Sequence, residues 1–137
     1  MIFSAEKAAF VEQAQKVFFM AMNQGYAAGV KASRLDIMHG SRFAEFDHEE
    51  GGHQWKVMDL WFVTADSPFS SGITIMSRDT KPVWQMRYGG WYEEFAIPVL
   101  KQVLFETYKC SRFIGGRGYR LHRAVGLEVQ LVYVNIL

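Results

Sequence analysis

The first hydrophobic pattern along the chain is helical. Phe10, Ala14, Val17, Phe18 and Ala21 recur at three- and four-residue spacing, with Val11 and Met22 widening the stripe. Ser4 stands where an N-cap belongs, Glu6 follows where the helix dipole favours an anion, and Gly25 offers a stop. The spacing predicts a helix over 5–24, its stripe read as a core face in preference to a partner-binding one. Residues 25–40 keep no steady period and read as a connection.

The period then changes to two. A strand is predicted over 42–48, with Asp47-His48-Glu49-Glu50-Gly51-Gly52 as its turn. Over 54–64, Trp55, Val57, Trp61 and Val63 share one face, and Met58, Leu60 and Phe62 the other. Asp59 interrupts the Trp face. Apolar residues on both faces predict a central strand covered on two sides. Two more strands are expected over 71–78 and 81–88, joined by a tight Asp79-Thr80 turn. The second of these enters the densest aromatic stretch, Trp84 to Tyr92, which is expected to bend at Gly89-Gly90.

Helical spacing returns in Ala96, Val99, Leu100, Val103, Leu104, Thr107 and Tyr108, predicting a helix over 95–108. Pro98 must fall in its first turn, with Glu93 and Glu94 ahead of it. After the Gly115-Gly116-Arg117-Gly118 break, closing strands are expected over 119–123 and 127–135. The first four strands are linked too tightly for crossover helices, so they are antiparallel. The prediction is a single α+β domain over 1–137: a curved antiparallel sheet packed on two helices, in the order α-β-β-β-β-α-β-β. The concave face of such a sheet is where a pocket forms.

Composition narrows the functions. The chain has 137 residues, 50% of them hydrophobic and 15% aromatic, with a net charge of +1. That length supports one core without staples, and the charge balance does not indicate a broad polyanion-binding surface. Cys110 is the sole cysteine, which excludes an intrachain disulfide and a Cys-based zinc site. It reads as a small buried or half-buried hydrophobe. The first residues lack the basic and apolar regions of a secretion signal, and no run suits a membrane span, so the cytoplasm is the expected compartment.

Three constellations carry candidate chemistry. His48 and His53 sit among Asp47, Glu49 and Glu50, with His39 upstream. Imidazole and carboxylate bind divalent ions, but the five-residue His spacing is not the helical zinc motif, and a solvated hairpin loop is the favoured reading. No metal and no cofactor are therefore expected. Lys109 to Arg123 holds five of the fifteen basic residues, interleaved with Phe113 and Tyr119. Single-stranded nucleic acid wants that mixture, although a solvated loop is preferred and nucleic acid is an unlikely partner. Asp59 is the third. An acid in an apolar strand needs a partner, and Arg87 on a neighbouring strand is the expected one, with a general base in a pocket as the alternative. Arg87 itself lies among Trp84, Tyr88 and Trp91, where it could stack on rings and hold an anion.

The run Pro82-Val83-Trp84-Gln85-Met86-Arg87-Tyr88-Gly89-Gly90 resembles the signature of an uncharacterised bacterial domain family, Trp-Xaa-Met-Xaa-Tyr-Xaa-Gly. Trp84, Met86, Tyr88 and Gly90 match it at fixed spacing, while Tyr26-Ala27, Gly51-Gly52 and Arg117-Gly118 fit the layout loosely. Some members are fused behind a helix-turn-helix, which implies a sensor or effector role. The family has no established activity, so the resemblance implies no catalytic residues.

The leading expectation is a module that binds a small ligand or peptide in an aromatic-lined pocket, with a homodimer as the other expected partnership. Its expected lining is Trp55, Asp59, Trp61, Trp84, Arg87, Tyr88 and Trp91. The alternatives are an enzyme using Asp59 or the His48/His53 loop, and a weak single-strand binder through Lys109–Arg123.

Overall fold

A computed structural model describes residues 4–29, 33–34, 38–91, 93–111, 121–124 and 131–134. Helix α1 (Ala5–Asn23) begins where the Ser4 side chain accepts a hydrogen bond from the Lys7 N–H at 3.3 Å. A single 3-10 turn at Tyr26–Ala28 follows. The sheet is a five-stranded meander: β1 (Ser33–Arg34), β2 (Ser41–Glu50), β3 (His53–Val63), β4 (Phe69–Arg78) and β5 (Lys81–Trp91), each antiparallel to the next. Helix α2 (Ile97–Lys109) carries Pro98 in its first turn. Strands β6 (Leu121–Ala124) and β7 (Leu131–Val134) pair separately. The α+β class and the order of helices and long strands are those read from the sequence.

Two of the three long hairpins are closed by two residues, and β3–β4 by the five-residue loop 64–68. Gly51 and Gly52 have φ of 62° and 77°, the paired positive values that a two-residue connection needs to match strand twist. The β2–β3 turn is therefore just these glycines, and Asp47 to Glu50 belong to β2. Asp79 and Thr80 adopt φ of 49° and 68° between β4 and β5, without glycine's freedom. Asp79 compensates through its carboxylate, which accepts from the Gln54 N–H at 3.0 Å and contacts His53 Nδ1 at 2.6 Å.

The β4–β5 ladder contains a bulge. Arg78 pairs with Lys81 and Ser77 with Pro82, but Met76 pairs with Trp84, so Val83 is an extra residue. A strand slipped by one position presents its other set of side chains. Trp84, Met86 and Tyr88 consequently join the face of Trp55, Val57, Asp59, Thr74 and Met76. The predicted bend at Gly89-Gly90 is corrected: β5 runs on to Trp91. A Cβ at Gly89 would come within 3.0 Å of the Ser70 carbonyl oxygen, so these small residues permit close pairing instead of breaking it.

The core lies between the inner sheet face and both helices. Val17, Phe18, Phe19 and Ala21 of α1 pack with Leu100, Leu104 and Tyr108 of α2 over Trp55, Val57 and Met76. Phe18 meets Trp84, Phe19 and Tyr108 edge-on at 5.4, 5.4 and 5.9 Å. The Arg78 guanidinium lies 4.7 Å from the Phe10 ring centre. Lys16 of α1 ties to Glu50 at the hairpin end, 2.8 Å apart. The helices share one face, so the second cover expected for β3 is not a helix among the described residues. The opposite face carries the paired row Phe43, Leu60, Ile73 and Arg87. No helix among the described residues is long and apolar enough to cross a membrane.

Candidate functional site

Where β3 and β4 approach the start of α2, the inner face does not close. A cavity of about 430 Å³ opens there, lined among the described residues by Asp59, Trp61, Ser70, Tyr88, Ile97 and Leu100, with the β3–β4 loop and Glu93 and Glu94 forming its rim. Loop residues Asp66, Ser67 and Pro68, followed by Phe69, complete the wall.

Asp59 is the polar centre of this wall and is only 9% exposed. Its Oδ1 accepts two hydrogen bonds, from Thr74 Oγ1 at 2.9 Å and from the Tyr88 hydroxyl at 2.7 Å. Thr74 sits directly opposite on β4, but Tyr88 is one strand further away, on β5. Gly72 makes that reach possible. It lies between Trp61 and Tyr88 in the ladder, and a Cβ built on it would fall on the Tyr88 ring. Without a side chain at 72, the phenol crosses β4 and meets the acid on β3.

The expected Asp59–Arg87 pair is corrected, because the two residues occupy opposite sheet faces. In a regular hairpin closed by Arg78 and Lys81, Arg87 would stand opposite Gly72 on the inner face. The Val83 bulge moves it opposite Ile73, where it is exposed.

Of the expected lining, Asp59, Trp61 and Tyr88 do meet at the cavity. Trp55 is 1% exposed in the core, where its Nε1 donates to the Glu50 carbonyl at 3.2 Å. Trp84 is committed to Phe18. Trp91 lies outside the wall, 5.0 Å from Phe69, and donates through Nε1 to Glu93 at 2.8 Å. Sequence reasoning missed Gly72, Ile97, Leu100 and the loop residues. Ser67-Pro68 just before β4 and Glu93-Glu94 ahead of α2 are the local signals that could have pointed to the two segments.

The other candidates are dispersed. His48 meets Glu50 at 3.3 Å and stacks on Phe46, whereas His53 takes Asp79. His39 precedes the opposite end of β2. Among the described residues, no three His, Cys, Asp or Glu side chains are placed to hold one metal ion. Cys110, expected to be at least half-buried, is exposed, because it caps the end of α2 and not its packed face. Most of Lys109–Arg123 lies outside the described residues.

Comparison with protein-family models, with curated proteins and with solved structures found no match to the chain.

Proposed function

We propose that this chain is a small-molecule binding module whose ligand occupies the cavity between β3, β4, β5 and the start of α2. The observation that carries this reading is an open space of about 430 Å³, mostly apolar in its wall, with the acid Asp59 converging on it. Binding sites for small molecules fall in that size range and combine apolar walls with a few placed polar groups. The mouth adds support. Val63, Phe69, Phe95 and Trp91 are large apolar residues exposed at or beside it, and grouped exposure of that kind marks recognition surfaces. The modest volume favours a small molecule over a peptide.

The resemblance to the Trp-Xaa-Met-Xaa-Tyr-Xaa-Gly family forms part of this proposal. Its four positions recur at intervals of two, which is the spacing of one strand face. On that reading Trp84 serves the core and Tyr88 the cavity.

The test is thermal unfolding across a panel of small aromatic and aliphatic compounds, with Ala65→Trp and Arg87→Ala in parallel. A ligand that binds only the folded state raises the midpoint by mass action. Compounds should raise it for the wild type and Arg87→Ala, and not for Ala65→Trp, because Ala65 of the β3–β4 loop lines the cavity and an indole there would take up its space. A panel without effect, or one acting equally on all three proteins, would remove the cavity from consideration.

A further inference from the structure

Resting on that cavity reading, we infer that the ligand is an organic cation: an apolar or aromatic body bearing a protonated amine that pairs with Asp59 Oδ2. The argument starts from the two oxygens of this carboxylate. Oδ1 is saturated by Thr74 and Tyr88. Oδ2 has no hydrogen-bond partner among the described residues. It is also not sealed in the interior: Ser41 Oγ is the enclosed side-chain atom without a partner there, and Asp59 lines the cavity wall. An acid nine-tenths buried therefore turns one oxygen into a space large enough for a guest. A buried carboxylate without a counter-charge is costly, and a cation delivered by the ligand offsets that cost.

The rest of the lining agrees in sign. Asp59, Asp66, Glu93 and Glu94 contribute carboxylates, and no Lys, Arg or His lines the cavity among the described residues. Trp61, Phe69 and Tyr88 offer rings whose faces attract cations. A helix start would ordinarily favour an anion, but Glu93 and Glu94 stand just ahead of α2 and line the same rim, so the charge there is already negative. An anionic ligand would meet this field unfavourably, and a neutral one would leave Oδ2 without a charge partner. Tyr88 and Thr74 act as positioning residues, since they hold the carboxylate orientation through Oδ1.

Three probes of similar shape separate the possibilities: 2-phenylethylamine, 2-phenylethanol and 3-phenylpropionate, titrated calorimetrically into the wild type, Asp59→Asn and Ala65→Trp. The wild type should bind the amine about tenfold or more tightly than the other two, the size of one charge-assisted hydrogen bond. Asp59→Asn should erase that preference. The wild-type ranking needs no variant, so it decides even if Asp59→Asn fails to fold. Equal binding of amine and alcohol, or tighter binding of the carboxylate, would overturn the cation assignment while leaving the cavity reading intact, provided Ala65→Trp abolishes it. Binding of none of the three, or binding indifferent to Ala65→Trp, would overturn both.

Discussion

Gly72 decides whether the cavity has its polar centre. Any side chain there meets the Tyr88 ring, and its Cβ would also lie 2.8 Å from the Leu60 carbonyl oxygen. Gly72→Ala should therefore cost about 1–3 kcal/mol, the usual effect of overpacking, and displace the phenol from Asp59. Tyr88→Phe, which removes only the hydroxyl, should cost about 1 kcal/mol. Urea unfolding measures both, and a Gly72→Ala protein as stable as the wild type would refute the crossing geometry. At this scale the sequence was half legible. Asp59 announced itself as an acid in an apolar strand, but its partners did not: Tyr88 depends on a register shift that no single residue declares, and Thr74 on the pairing of β3 with β4. Trp55 and Trp84 looked like pocket walls, although ring size alone does not separate a filled interior from a hollow one.

At the scale of elements, hairpin closure is the most exposed to test. Thr80 holds a φ of 68°, unusual for a β-branched residue. Thr80→Gly should stabilise the protein by about 1 kcal/mol, the approximate cost of the left-handed conformation for an L-residue. An unchanged or lower denaturation midpoint would contradict this. Deleting Val83 should be tolerated, because removing the extra residue leaves Trp84, Met86 and Tyr88 opposite Met76, Thr74 and Gly72 in a ladder that is now regular. A cooperative thermal transition with a modestly lowered midpoint is expected, and loss of that transition would argue against the bulge. Helices and long strands were readable because their apolar periods are 3.6 and 2 over many residues. The two-residue β1 was too short to have a period, and Gly89-Gly90 read as a break where it permits close pairing.

Acid sensitivity belongs to the whole molecule. The Asp79 carboxyl is held below its ordinary value, chiefly by the Gln54 N–H and then by the His53 side chain. Glu50 is lowered too, chiefly by its hydrogen bond from Lys16. A carboxyl whose folded-state pKa is depressed stabilises the fold above its unfolded value, and that contribution is lost as pH falls through the folded one. Stability should therefore decline below about pH 4, where ordinary carboxylates begin to protonate. Asp79→Asn should flatten that decline, as denaturant midpoints against pH would record; an identical acid limb in the variant would contradict it. The overall architecture followed from element order and short links. The location of the cavity did not, because it forms where the β3–β4 loop meets the start of α2, segments about thirty residues apart that no local pattern joins.

The four indole N–H signals provide the most direct test of cavity binding, because each Trp occupies a different setting. In an amide and indole NMR titration with 2-phenylethylamine, the account predicts that Trp61 moves together with the backbone of Asp59, Ser70, Tyr88 and Leu100, while Trp55 and Trp84 stay in place. A spectrum without shifts, or shifts gathered around Arg87 and Ile73 on the opposite sheet face, would contradict it.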